Sequence, residues 1–217
     1  MNQKKLVIGT IIGFIVLVGL IIFLNQMKNK DNFGQEVTHP SIEGQPTIGN
    51  EDATVSIVEF GDYKCPACMS WADQIYPKLV KDYIDTGKVK LSFVNVLIYP
   101  PESTIASLAS EYVNLYHPDQ FWDVHQAIFN AQKDSTTITL ESITEIVQTV
   151  IPDLDVDQFH AGLSEEGEVA DALQTDIDLG NQTNITKTPS VVINGILLDD
   201  PFDYKLIQKA IEHKLED

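Results

Sequence analysis

The chain has 217 residues, enough for one sizeable domain and a short anchor, and its apolar content of 43% allows a buried core. It carries 14 lysines, no arginine and 32 acidic residues, for a formal net charge of −18. So acidic a surface repels nucleic acid, which excludes a DNA- or RNA-binding function and favours solubility outside the cell.

The N-terminal 30 residues have the features of a membrane anchor. Leu6 to Leu24 form an uncharged run of 19 residues. As a helix rising about 1.5 Å per residue, this run nearly matches a hydrocarbon core of roughly 30 Å. It is longer than a signal-peptide core, and no small-residue cleavage pattern follows it, so we predict that residues 1–30 remain uncleaved. A cleaved signal peptide is the alternative.

The topology of this anchor rests on its short N-terminal tail. Lysines lie on both sides of the apolar run, so the positive-inside bias is weak. A short tail before one helix favours a single-pass protein of the cell membrane with its acidic bulk on the extracellular side. Residues 31–50 follow, and because they are rich in Gly, Pro, Asn and Gln we predict a tether there.

The remaining chain alternates between strand and helix patterns. Thr54 to Phe60 is a β-branched, apolar run that predicts a buried strand. After a short turn, a helix is expected from Cys65 to about Ile84. Val89 to Leu97 predicts a second strand. Residues 100–179 show helical patterns near 102–116, 118–132, 140–150, 155–163 and 165–179.

The C-terminal part predicts a hairpin and a last helix. Two apolar runs flank Asn194-Gly195, a strong hairpin signal, and a helix is expected from Asp203 to Leu215. The order of elements is typical of an α/β domain (51–99 and 180–217) interrupted by an inserted helical domain (100–179).

The two cysteines carry the chemistry. Cys65 and Cys68 are separated by two residues at the predicted start of a helix, and Pro66 suits the first helical position. Helix N–H groups there stabilise the Cys65 thiolate, the form that attacks disulfides, and Cys68 lies close enough to resolve the mixed disulfide. Incidental thiols and half of a metal site are the alternatives. This exchange requires no cofactor.

Three separated segments resemble one family. They are Glu59 to Cys68, Lys90 to Val96, and Thr188-Pro189-Ser190. Together they are similar to the DsbA-like thiol–disulfide oxidoreductases, and in particular to the BdbD-type membrane-anchored enzymes of Gram-positive bacteria. The resemblance covers roughly residues 45–217 and implies a thioredoxin fold interrupted by a helical domain.

The resemblance also implies roles for particular residues. Cys65 corresponds to the exposed attacking cysteine, Cys68 to the buried one, and Pro189 to the cis-proline beside the pair. Thr188 would pair with the extended chain of the substrate. Glu59 corresponds to an acidic residue that relays a proton to the buried cysteine, for which a raised pKa is needed. An ordinary trans proline and an exposed strand-end glutamate are the alternatives.

Two further positions bear on the site. Lys64 either adds positive potential beside the nucleophile or is simply solvated. Ala67 stands where the most oxidising family members carry a histidine, so the resemblance implies a weaker oxidant.

An acidic cluster precedes the Pro189 loop. Asp176 and Asp178, with Asn181, offer oxygen ligands of the kind that Ca²⁺ prefers. A solvated acidic helix end explains the same residues.

We expect a dithiol oxidase that gives its disulfide to secreted or surface proteins with free thiols. A quinone-linked integral-membrane partner would re-oxidise it, and a monomer is expected. An extracytoplasmic reductase or isomerase is the enzymatic alternative, because sequence alone defines redox poise poorly. A non-redox, chaperone-like binding module is the third hypothesis.

Overall fold

The computed structural model describes residues 13–21, 33–164 and 166–216, in two units of which one ends at Phe33 and the other runs from Gly34 to Asp217. In the first unit, residues 13–21 form helix α1, whose apolar side chains such as Phe14 and Leu17 are exposed. Within the described residues, no helix combines the length and apolarity that a bilayer crossing needs. The rest of the predicted Leu6–Leu24 span lies outside the described residues.

The second unit is built on a mixed sheet. The described residues contribute six strands in the order β1-β6-β5-β3-β4-β2. Strands β3 and β4 run parallel, and all other neighbours pair antiparallel. The strands are β1 (Gly34–Glu36), β2 (Thr47–Gly49), β3 (Val55–Gly61), β4 (Val89–Asn95), β5 (Ser190–Ile193) and β6 (Ile196–Leu198).

Strand β3 lies inside the sheet because its sequence is suited to burial on both faces. All seven of its residues are buried, as expected for an apolar, β-branched run flanked by β4 and β5. The β5–β6 turn follows from Asn194 and Gly195, whose φ angles of 40° and 83° match the left-handed conformations that a tight hairpin requires.

The helices lie near the segments where the apolar spacing predicts them, with one difference in the helix that follows β3. The predicted helix from Cys65 to Ile84 is broken near Ile75, because Pro77 has no N–H to continue the ladder. The helices of the second unit are α2 (Pro66–Gln74), α3 (Tyr76–Leu79), α4 (Glu102–Tyr116), α5 (Phe121–Lys133), α6 (Leu140–Val150), α7 (Val156–Gly162), α8 (Glu168–Gln182) and α9 (Tyr204–Glu216), with a π-helical turn at Val80–Ile84 and a 3-10 turn at Pro118–Gln120.

Helices α4 to α8 come between β4 and β5 and share a core with the sheet. One apolar cluster joins Cys68 and Phe93 to side chains of these helices such as Val113, Ile128 and Phe159. The cysteine pair is therefore supported from the sheet and from the helical block together.

The prediction of a tether over 31–50 is wrong for the part that is described. Residues 34–36 form β1 against β6, and residues 47–49 form β2 against β4. Both strands are three residues long and lie at sheet edges, so they need no apolar run, and the periodicity that identifies longer strands is absent.

Candidate active site

The cysteine pair opens helix α2. Cys65 is the N-cap residue, with extended backbone angles, and Pro66 takes the first helical position. The Cys65 N–H donates to the Asp62 carbonyl at 3.0 Å, and the Cys65 carbonyl accepts from the Met69 N–H at 3.1 Å. Cys65 is therefore fixed at the point where the N–H groups of the first helical turn are free to bind a negative charge.

The two thiols lie in different environments. They are not joined by a disulfide. Cys68 is fully buried, whereas Cys65 retains 5% of its surface, so the attacking cysteine is more covered than the sequence predicted. A thin accessible edge restricts attack to a partner that reaches the site in a defined direction.

Their electrostatics are opposite. A hydrogen bond from the Cys68 thiol, together with the Thr188 side chain and the N–H groups of Cys68 and Ala67, lowers the pKa of Cys65 to about 5. Burial raises the pKa of Cys68, as does the bond that it gives to Cys65. The reduced pair consequently holds one thiolate, on Cys65, and one proton, on Cys68.

Pro189 lies in the loop beside the pair. The Thr188–Pro189 peptide bond is cis, and Cys65 Sγ lies 3.5 Å from the Thr188 carbonyl oxygen. Ser190 begins β5, and its hydroxyl donates to the Lys187 carbonyl at 2.7 Å. The loop thus enters the sheet next to the nucleophile.

Glu59 lies beneath the pair, inside the sheet. It is 1% exposed, and its Oε1 has no hydrogen-bond partner within the described residues. Cross-strand pairing puts Glu59 beside Phe93, and side chains of directly paired residues share a face. Because Phe93 packs in the apolar cluster with Cys68, Glu59 faces the same side. Burial, and then the charge on Cys65, raises the pKa of Glu59 well above its usual range.

Lys64 does not act as a free cation at the nucleophile. Its Nζ forms an ion pair with Glu102 Oε2 at 3.0 Å. The same carboxylate accepts from the Ile138 N–H at 2.8 Å, so the lysine charge is directed towards the start of α4.

The structure separates Asp176 from Asp178. Asp178 is exposed and accepts from Gln174 at 2.9 Å. Asp176 is fully buried and accepts from the N–H and the side-chain amide of Asn95, and from Gln45. Residues two apart on a helix face different directions, which explains the divergence. Across the described parts of the chain, no group of three or more His, Cys, Asp or Glu side chains is arranged to hold a metal.

Sequence reasoning missed two sets of buried polar contacts, one at Asp176 and one at Tyr63. Asp176 shares the side-chain amide of Asn95 with Glu111, and burial raises the pKa of both carboxyls. Tyr63 bonds His125 at 2.9 Å, and burial lowers the pKa of that histidine to about 3, so it is neutral. These partners are far apart in sequence, and no local pattern marks them.

A stabilised thiolate at a helix start, a buried resolving thiol and an adjacent cis-proline, all carried by a sheet of this order, define a thioredoxin-fold thiol–disulfide oxidoreductase. A family model described as thioredoxin matches residues 41–213. The chain belongs to this thioredoxin family, which confirms the predicted thioredoxin-like α/β fold.

Two similar proteins and one solved structure agree with this assignment. Disulfide bond formation protein D of Bacillus subtilis is 38% identical over 87% of this chain and 86% of its own length. The probable disulfide bond formation protein D of Bacillus anthracis is 34% identical over 99% of this chain and 98% of its own. The crystal structure of oxidised BdbD from Bacillus subtilis superposes with a TM-score of 0.79, at 38% identity, and covers 85% of this chain and all of that one. The predicted resemblance is thereby confirmed.

Proposed function

We propose that this protein is a dithiol oxidase that donates the Cys65–Cys68 disulfide to thiols of secreted or surface proteins. The observation that carries the proposal is the position of Cys65 at the N-terminus of α2 beside the buried Cys68, an arrangement that lowers the pKa of Cys65 to about 5. A stabilised thiolate favours the reduced pair, and a pair whose reduced form is favoured is a strong oxidant of other thiols.

The cycle follows from the positions of the groups. A substrate thiolate attacks Cys65 Sγ of the disulfide, forming a mixed disulfide and releasing Cys68 as a thiolate, which takes a proton from Glu59. A second substrate thiolate attacks the substrate sulfur of the mixed disulfide. Cys65 leaves as the stabilised thiolate, and the substrate departs with its new disulfide. Thr188 offers backbone groups that pair with the extended substrate chain.

The location and the partner form part of the same proposal. The apolar run Leu6–Leu24 supports a single-pass anchor in the cell membrane with the catalytic unit on the extracellular side. The names of the relatives support substrates that acquire disulfide bonds. Each turnover leaves the pair reduced, so an electron acceptor is required. A quinone-linked integral-membrane re-oxidase would accept these electrons and restore the disulfide.

The reduction potential of the full-length chain in detergent, equilibrated against glutathione, tests the direction of electron flow. We expect a value nearer to about −120 mV than to the value of about −270 mV of thioredoxin. A value near the thioredoxin end would establish the reductase alternative. A Cys65→Ser variant that still suppresses aggregation of an unfolded protein as well as the wild type would favour the chaperone alternative.

We also propose a calcium ion at Asp176, without Asp178. Asp176 adjoins a second buried carboxyl, Glu111, and the amide of Gln45, whose Oε1 is buried without a partner in the described residues. Such oxygen donors suit a hard cation. Calcium should raise the melting temperature of the wild type and of Asp178→Ala but not that of Asp176→Asn. A wild-type melting temperature that is the same in calcium as in EDTA would refute this calcium site.

A further inference from the structure

The side chain of Asp62 binds two segments at once. It is fully buried in the turn between β3 and α2. One carboxylate oxygen, Oδ1, accepts from the Lys64 N–H at 2.6 Å. The other, Oδ2, accepts from the N–H groups of Ile98 at 2.6 Å and Tyr99 at 3.2 Å. The Ser103 hydroxyl lies 2.8 Å from both oxygens.

The backbone of Asp62 contacts both cysteines. Its carbonyl accepts from the Cys65 N–H at 3.0 Å, and its own N–H donates to Cys68 Sγ at 3.5 Å. Asp62 therefore connects the redox pair, through its backbone, to the segment after β4, through its side chain. Hydrogen bonds to a buried carboxylate are short and strong, so this connection is rigid.

The segment that Asp62 holds presents apolar side chains at the surface. Ile98 is 41% exposed and Tyr99 is 50% exposed. The Asp62 carboxylate accepts from the backbone N–H groups of both Lys64 and Tyr99. The segment that carries the exposed Ile98 and Tyr99 side chains is therefore held to the residue before the nucleophile through a single side chain. Exposed apolar groups at such a place suit contact with an unfolded polypeptide.

We propose that Asp62 is a positioning residue, which holds the turn before Cys65 and the Ile98–Tyr99 segment in one fixed arrangement for attack by a protein thiol. It acts through the backbone of the pair and does not touch the reacting sulfur with its side chain. The proposal rests on the thiol–disulfide exchange of the pair and is independent of the direction of electron flow.

Asp62→Asn disturbs this arrangement with little change in volume. The amide nitrogen that replaces one oxygen is a donor and faces donors in either orientation. At the Oδ2 position it meets the N–H groups of Ile98 and Tyr99, and at the Oδ1 position it meets that of Lys64. At least one of the two segments is therefore released.

The decisive measurement is the titration of the Cys65 thiolate at 240 nm in the reduced full-length chain. A loosened turn withdraws the donors from Cys65, so Asp62→Asn should raise the pKa of Cys65, by about one unit, or a tenfold change in ionisation. Loss of the carboxylate charge alone would lower that pKa instead. An unchanged or lowered value therefore overturns the proposal.

A matched control separates positioning from general damage. Asp155→Asn makes the same chemical change at the N-cap of α7, where the side chain accepts from the Gln158 N–H at 3.1 Å. It should leave the titration of Cys65 unchanged, and a rise equal to that of Asp62→Asn would overturn the proposal.

A second variant keeps the test decisive if Asp62→Asn does not fold. Ser103→Ala removes one donor to Asp62 and leaves the three backbone donors in place. It should raise the pKa of Cys65 by less than Asp62→Asn does. It should also slow the oxidation of a reduced, unfolded protein by a larger factor than it slows the reaction with glutathione disulfide. Wild-type values for both would overturn the proposal.

Discussion

The exchange equilibrium should depend on pH in a way that the Cys65 thiolate determines. With a pKa of about 5 in place of the ordinary 9.0, the thiolate exceeds the thiol by about a hundred to one at pH 7. Because the folded pKa is lowered, the stabilisation of the reduced protein is complete above pH 9 and is lost as the pH falls through about 5.

The stabilisation of the reduced protein depends on the difference between the pH and the pKa of Cys65. At pH 7 this difference is about two units, which corresponds to about 2.7 kcal/mol, or about 60 mV for a two-electron couple. Cys65 keeps a solvent-accessible edge, so this is an upper value. Reduction of the pair by glutathione releases a proton in this range, since Cys65 remains ionised. The equilibrium constant for reduction by glutathione should therefore rise about fivefold from pH 5 to 6, where Cys65 is still partly protonated, and about tenfold for each further pH unit up to 7.5.

The assay is equilibration of the full-length chain in glutathione buffers, followed by alkylation and gel shift at each pH. Cys68→Ala is the matched control for the thiolate itself, because the Cys68 hydrogen bond is the largest cause of the low pKa. Its Cys65 should titrate at a higher pH when followed at 240 nm. An equilibrium constant that stays flat from pH 5 to 7.5 would refute the reasoning.

Three further variants test the surrounding groups. Glu59→Gln should be more stable to urea than the wild type at pH 8 but not at pH 4, because the raised pKa of Glu59 makes its ionisation in the fold unfavourable as the pH rises above 4.5; equal gains at both pH values would contradict this. Tyr63→Phe should lower the free energy of unfolding by about 1–3 kcal/mol, because it leaves the buried His125 without its hydrogen-bond partner. The control Tyr204→Phe removes an exposed hydrogen bond to Asp82 and should lower the free energy of unfolding by less. Lys64→Met should cost no more than about 1 kcal/mol in thermal unfolding, as expected for a partly exposed ion pair with Glu102, and a larger loss would show that the pair is structural.

Short-range sequence patterns predicted the parts of the fold and of the site that depend on interactions between neighbouring residues. The buried strand β3 followed from an apolar, β-branched run, the β5–β6 hairpin from Asn194-Gly195, and the nucleophile from two cysteines at a helix start. Each of these signals lies within about ten residues, where periodicity and turn chemistry operate.

Contacts between distant residues explain what was missed. Asn95 and Asp176 are 81 residues apart, and Asp62 and Ile98 are 36 apart. Nothing within either segment shows that its polar group is buried, because burial depends on the elements that pack against it. The separation of Asp176 from Asp178 has a local cause, since residues two apart on α8 face different directions, but which of the two is buried depends on the elements that pack against the helix.

The two short strands before β3 determine where this protein can be shortened. Strands β1 and β2 cover opposite edges of the sheet, β1 along β6 and β2 along β4. A chain that began at Glu51 would keep both cysteines and the central strands, yet the seven-residue β4 would replace the three-residue β2 as an edge strand and present a longer row of unpaired N–H and C=O groups to other molecules. The residues that look like a spacer thus protect the sheet from self-association, and a soluble catalytic fragment should begin before Gly34.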